Sequence, residues 1–113
     1  MAASRDERKL TTILSADVAG YSRLMSADES GTLATLKAYR QVFVDQVASH
    51  RGRIVNTAGD GVLAEFASVV EAVDCAVQVQ RALAERNAAL PADRQMQFRI
   101  GINLGDVIEQ EDG

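Results

Sequence analysis

Apolar and polar positions along the chain alternate in some stretches and recur at helical spacing in others. Leu10 to Ala16 reads L-T-T-I-L-S-A, a short, partly apolar, β-capable run that ends at Asp17. It predicts a buried first strand. Val18 to Met25 follows as a turn containing Gly20. The run S-A-D-E from Ser26 matches a capping box closed by Glu29. Leu33, Leu36, Tyr39 or Arg40, Phe43 and Val47 then continue at helical spacing, predicting a helix to His50 with Gly52 as its stop signal. Two short runs, Arg53 to Thr57 and Val62 to Phe66, flank Ala58-Gly59-Asp60-Gly61 and read as a β-hairpin. Ser68 and Glu71 frame a second capping box. The helix it opens is expected to put Val69, Val73, Ala76, Val77, Leu83 and Ala84 on its apolar face and to end between Asn87 and Leu90, before Pro91. Phe98 to Leu104 is the last clear strand, and Val107 and Ile108 extend it past a bend expected at Gly105.

The order β-α-β-β-α-β predicts an α+β fold of the ferredoxin-like kind, a mostly antiparallel sheet with both helices on one face. That topology serves many activities, so it does not fix a function. At 113 residues the chain fits one domain, read as a polar N-terminal tail over residues 1–9 and a folded unit over residues 10–113. Apolar residues make up 47% of the chain, enough for a core without staples. The net charge of −4 argues against nonspecific nucleic-acid binding, which needs a basic surface. A nucleotide site stays open, because a bound cation can offset phosphate charge. No apolar run is long enough for membrane insertion. With one cysteine, Cys75, no internal disulfide is possible, and a reducing cytoplasmic setting is the simplest expectation. Cys75 reads as a packed core thiol, and the single histidine, His50, as a solvent-facing helix-end residue. One Cys and one His do not make a zinc site.

Two acids stand out by position. Asp17 ends the first strand, and Asp60 sits in the hairpin turn. The first and third strands of a ferredoxin-like sheet are central neighbours, so the two residues can approach at one edge. Neighbouring carboxylates repel unless a cation lies between them. Mg²⁺ takes oxygen ligands and often uses one or two carboxylates plus phosphate oxygens. An Asp in an Asp-Gly turn also has an ordinary structural role, and spacing alone leaves both readings open. The loop Val18-Ala19-Gly20-Tyr21-Ser22 leads from strand to helical segment, and its backbone N–H groups could cradle phosphates.

Three segments carry a family resemblance: I-L-S-A-D-V-A-G-Y-S-R-L-M (Ile13 to Met25), G-R-I-V-N-T-A-G-D-G-V-L-A-E-F (Gly52 to Phe66) and F-R-I-G-I-N-L-G-D-V (Phe98 to Val107). In order and spacing the set resembles the catalytic domain of class III adenylate and guanylate cyclases, from Leu10 to the C-terminus. The resemblance implies that Asp17 and Asp60, with the backbone carbonyl of Val18, hold two Mg²⁺ or Mn²⁺ ions. It implies that Gly20, Tyr21 and Ser22 line a phosphate pocket, and that the substrate is ATP in preference to GTP. The parent would then form cyclic AMP and pyrophosphate in intracellular signalling by two-metal phosphoryl chemistry. Diguanylate cyclases share the architecture, but their turn would read Gly-Gly-Asp/Glu-Glu-Phe, unlike Ala58-Gly59-Asp60-Gly61.

Three departures shape what is expected of this chain. Asn56 stands where adenylate cyclases commonly carry Lys and guanylate cyclases Glu, so it does not name the base. Asp106 follows Gly105 where many relatives have a phosphate-binding Arg. The second base-reading residue and the Asn and Arg that steady the transition state have no counterpart in these residues. The expectation is therefore the N-terminal part of a cyclase domain, inactive by itself and prone to self-association as a dimer or higher oligomer. The alternative is a non-catalytic cyclase-homology module that dimerises or binds nucleotide. An RNA-binding domain of the same strand order fits poorly, because Val62 to Phe66 offers one aromatic and the charge balance is acidic.

Overall fold

A computed structural model describes residues 6–110. Four strands and three helices follow in the order β1 (Asp6–Val18), α1 (Tyr21–Ala27), α2 (Glu29–Ser49), β2 (Arg53–Asn56), β3 (Val62–Phe66), α3 (Val69–Ala88) and β4 (Phe98–Gln110), with a 3₁₀ turn at Ala92–Arg94. The sheet is antiparallel throughout in the order β2-β3-β1-β4. This is the ferredoxin-like topology the pattern predicts, with β1 and β3 in the centre.

Alternation along β1 sets the two faces of the sheet. Thr12, Leu14, Ala16 and Val18 are buried, while Ser15 is exposed and Asp17 half-buried. Helices α2 and α3 cover the first set. The core joins Leu14, Phe43, Val47, Phe66, Val79, Leu83 and Phe98. Phe43 of α2 reaches Phe98 of β4 with ring centroids 5.0 Å apart. Among the described residues no helix covers the other face.

Several local expectations are corrected. The segment Val18 to Met25 is not all turn: β1 runs through Val18, and α1 starts at Tyr21. The cap of α2 is Asp28 rather than Ser26. Asp28 Oδ1 accepts from the Gly31 N–H at 3.0 Å, and Oδ2 pairs with Arg94 at 2.8 Å. A carboxylate that caps a helix and binds a cation outcompetes a hydroxyl that does neither. At the end of α2 the left-handed residue is Arg51 (φ 62), and the Gly52 N–H closes on the Val47 carbonyl at 2.8 Å. Ser68 does cap α3, accepting from Val70 and Glu71.

The apolar face of α3 includes Leu83 and part-buried Ala76 as expected, but Val69, Val73 and Val77 give way to residues one position off. Ala72, Cys75, Val79, Leu83 and Asn87 are buried, whereas Val69, Val73 and Val77 are 47%, 45% and 41% exposed. Both stripes are apolar, but Ala72 and Cys75 are small and let the helix sit close to the sheet. Residues Asp6 to Lys9, read as tail, lie in β1 opposite residues 107–110 of β4. β4 also passes Gly105 without a break, because Gly105 keeps its pairing with Thr11. The remainder of the expected tail, residues 1–5, and the acidic C-terminal residues 111–113 lie outside the described residues.

A buried polar knot locks α2, α3 and the approach to β4. The Tyr39 hydroxyl donates to Asn87 Oδ1 at 2.7 Å, and the Met96 N–H donates to the same oxygen at 3.0 Å. Asn87 Nδ2 donates to the Met96 carbonyl at 2.9 Å. Burial holds the Tyr39 phenol pKa above its ordinary value, with Arg86 opposing weakly. Asn87→Ala would strand two donors and one acceptor inside the core. It is expected to cost about 2–4 kcal/mol in urea unfolding, against about 1 kcal/mol for Tyr39→Phe, which leaves the Met96 bonds intact. Equal losses for the two variants would rule out this network.

Candidate functional site: two aspartates at the end of the central strand

The site is built where β1 leaves the sheet. Ala16 pairs with Val62 of β3, so continuing that register sets Asp17 and Val18 beside Gly61 and Asp60. The Val18 N–H donates to Asp60 Oδ2 at 2.9 Å. The turn that carries Asp60 is fixed at two further points. The Gly61 N–H closes on the Ala58 carbonyl at 2.8 Å, and the Arg40 guanidinium of α2 donates to the Gly59 carbonyl. Gly59 takes φ 57, a left-handed conformation that favours glycine.

On the other side, Asp17 pairs in register with Arg99 of β4. Arg99 Nε donates to Asp17 Oδ1 at 2.8 Å. The two side chains are 70% and 50% exposed, so water screens the pair. The Arg99 pKa lies above its ordinary value, mainly through the hydrogen bond to Asp17 and then its charge, with a further contribution from the Asp60 charge. The guanidinium therefore feels both carboxylates. Asp17 divides two shallow grooves on the uncovered face, one shared with Ser15, Arg99 and Gly101, the other with Asn56, Ala58 and Leu63.

Asn56 reaches this face through a β-bulge. The pairing steps from Ile54 opposite Ala64 to Asn56 opposite Leu63, an extra residue on β2. Without it, strict alternation would aim Asn56 at the helix face. Gly20 is the N-cap of α1 with φ 67, so a side chain there would be strained. The Ala19 N–H donates to the Gln97 carbonyl at 2.8 Å, fixing the exit from β1 to β4. Tyr21 is half-buried against the core, and Ser22 is exposed. The fold thus brings Asp17, Val18, Asp60 and Asn56 to one edge, with Gly20, Tyr21 and Ser22 following directly along the chain. The backbone of Asp106 lies farther along β4 opposite Leu10, and its side chain lies outside the described residues.

Sequence reading missed Arg99 and Arg40. Arg99 occupies an odd position of a strand otherwise read for its apolar residues, and its importance comes from register with Asp17. Arg40 looked like a helix-face residue, and its reach to Gly59 spans two elements. The remaining titratable candidates sit elsewhere. His50 is the C-cap of α2, with Nδ1 2.8 Å from the Gln46 carbonyl. Cys75 is fully buried, and desolvation pushes its thiol pKa up to about 11.

The donors at this edge are hard oxygens, the kind Mg²⁺ and Mn²⁺ prefer. No group of three His, Cys, Asp or Glu side chains occurs among the described residues, so a cation here would draw further oxygens from a ligand. Asp17 already binds a cationic group, and one oxygen of each carboxylate has no hydrogen-bond partner among the described residues. The residues present fit a divalent cation.

An antiparallel ferredoxin-like sheet with two carboxylates at one end of its central strands defines an α+β domain with a candidate cation site on its uncovered face. The sequence matches the family described as the adenylate and guanylate cyclase catalytic domain over residues 4–113, and the chain belongs to that family. It is 46% identical over 112 residues to the protein named "Putative adenylate cyclase 3" of Rhizobium meliloti (strain 1021), covering 98% of this chain and 19% of that protein. Among solved structures, an adenylate/guanylate cyclase/hydrolase from Silicibacter pomeroyi superposes with a TM-score of 0.83 at 42% identity, over 94% of this chain and 62% of the other. The guanylyl cyclase Cya2 superposes with a TM-score of 0.78 at 28% identity, over 93% of this chain and 58% of the other. The chain thus spans about a fifth of the curated relative's length and less than two thirds of either solved chain.

The Val18–Asp60 bond is testable by itself. Asp60→Ala removes the acceptor, and Val18 amide exchange is expected to speed up about ten-fold. Asp60→Asn keeps an acceptor oxygen and should change the rate much less. Wild-type exchange at Val18 in Asp60→Ala would contradict the bond.

Proposed function

We propose that the chain forms part of a cytoplasmic adenylate cyclase catalytic domain whose parent converts ATP to cyclic AMP and pyrophosphate, with Asp17, Asp60 and the Val18 carbonyl as ligands of Mg²⁺ or Mn²⁺. The observation that carries this reading is the Asp60 carboxylate bonded to the backbone at the end of β1, one residue from Asp17. When bound, such ions neutralise triphosphate charge and make the ribose 3′-hydroxyl easier to deprotonate. The chain's own contribution is to present hard oxygens at one edge and to keep the turn carrying Asp60 rigid. Gly20 starts α1 with φ 67, and in this reading the free N–H groups of its first turn, at Tyr21 and Ser22, serve phosphate oxygens. Asn56 shares a groove with Asp17 and offers both a donor and an acceptor to a purine edge. The preference for ATP over GTP rests on the relative from Rhizobium meliloti, since Asn56 suits either base.

The parent chain and the isolated 113-residue chain separate this reading from that of a non-catalytic nucleotide-binding or dimerisation module. With ATP and Mn²⁺ the parent should produce cyclic AMP, and Asp17→Asn or Asp60→Asn should lower turnover by about a hundred-fold or more. The isolated chain should show none, because the family's Asn and Arg that steady the transition state have no counterpart among its residues. A parent indifferent to both substitutions would refute the site. Asp17-dependent cyclic AMP from the short chain would refute the expected inactivity.

Self-association belongs to the same proposal. Beyond the cover of α3, the helix face of the sheet continues through half-buried Ile100 and Ile102 to Leu104 and Leu10, which are 62% and 65% exposed. The outward stripe Val69, Val73 and Val77 on α3 lies alongside, and Val77 shares a groove with Ile100 and Ile102. Apolar surface of this continuity favours association. Light scattering at micromolar concentration should show a dimer or larger species, and Val77→Asp with Leu104→Asp should shift it to a monomer. A monomeric wild-type mass would contradict the association.

A further inference from the structure

The two aspartates are held in different ways. Asp60 takes a backbone N–H, from Val18, in a turn pinned by Arg40. Asp17 takes a side-chain cation, Arg99 Nε at 2.8 Å, on a pair that is largely exposed. A backbone donor adds no net charge and does not leave while the strand stays folded. A guanidinium on a long, exposed stem adds a full positive charge and can swing away.

We infer that Arg99 is a built-in counter-cation that holds Asp17 in the metal-free chain and competes with a divalent cation for that carboxylate. The inference rests on the reading of Asp17 and Asp60 as the cation site, and it concerns a positioning residue.

Three observations support it. Register places Arg99 directly across from Asp17, so the guanidinium is delivered to the carboxylate by the sheet itself. The contact engages Oδ1, so a cation arriving at the other oxygen would sit a few ångströms from a positive charge and be repelled. Room to leave exists as well. The next same-face residue on β4 is Gly101, where even an added Cβ would meet nothing closer than Ser15 Oγ at 3.7 Å. In the absence of metal the guanidinium offsets the repulsion between two neighbouring carboxylates. With metal bound, that offset is redundant, and the charge of Arg99 works against the ion.

The competition is modest, because exposed ion pairs are weak. Arg99→Gln is expected to bind Mn²⁺ about three- to ten-fold more tightly than the wild-type chain at low ionic strength. Arg99→Lys, which keeps the charge, should stay close to wild type. The test is a Mn²⁺ titration of the 113-residue chain, read by the electron paramagnetic resonance signal of the free ion, with Asp17→Asn and Asp60→Asn alongside. A second readout follows the Arg99 Nε–H signal in nitrogen-edited NMR, which should move as Mg²⁺ is added to the wild-type chain. Unchanged or weaker Mn²⁺ binding by Arg99→Gln, or no detectable binding by that variant, overturns the inference, as does an Arg99 Nε–H signal indifferent to Mg²⁺. The underlying site reading fails separately: Mn²⁺ binding would then survive both Asp17→Asn and Asp60→Asn. Should Arg99→Gln fold poorly, Arg99→Ala in the same titration and the NMR signal of the wild-type chain decide the matter.

Discussion

Hydrogen bonding of β1 to a strand on each side fixes where Asp17, Asp60 and Arg99 lie. Through β3 it brings the turn with Asp60 to the end of the sheet, and through β4 it brings Arg99 across from Asp17. Its own alternation sends Leu14, Ala16 and Val18 into the core and Ser15 and Asp17 to the open face. A slip of one residue would exchange those faces, burying the Asp17 carboxylate and exposing Leu14. Burial of Leu14 and Val18 against the helices therefore specifies the site as strongly as it stabilises the fold. The two aspartates did not need to specify their own position.

Much of this frame was legible in the residues. The strand runs around Leu14, Ala64 and Ile100 follow β periodicity, and the hairpin is announced by Gly59-Asp60-Gly61. The cap at Ser68 is a local hydrogen-bond pattern and was readable as such. What could not be read depended on comparing contacts between elements. Asp28 became the cap of α2 because Arg94, far along the chain, binds its second oxygen. The buried stripe of α3 was set by the fit of Ala72 and Cys75 against the sheet, where Val69, Val73 and Val77 offered an equally regular alternative. The length of β1 came from pairing with β4, and the residues Asp6 to Lys9 are too polar to suggest a strand by themselves.

The site shows the same division. Asp17 and Asp60 could be singled out because strand ends and tight turns meet at one edge of this topology. Asn56 could be placed on β2, but its face depends on the bulge between Ile54 and Asn56, a one-residue misfit that no periodicity reports. Arg99 was hidden for a related reason. A cation among apolar strand residues looks like an ordinary exposed position until register gives it a partner. Arg40 reaches its target, the Gly59 carbonyl, only because α2 crosses over the hairpin.

These contacts also separate what is rigid at this edge from what can change. Asp60 is tied to Val18, and its turn is held by Gly61 and Arg40, so moving it would break several bonds at once. Asp17 is fixed in its backbone by pairing with β4, but its carboxylate is answered by a screened side chain. Free energy for reorganisation is therefore small at Asp17 and large at Asp60. An incoming cation would meet one carboxylate already set and one whose partner must yield. Preorganisation on one side and exchange on the other would let the edge stay neutralised when empty without closing it to a more highly charged ion.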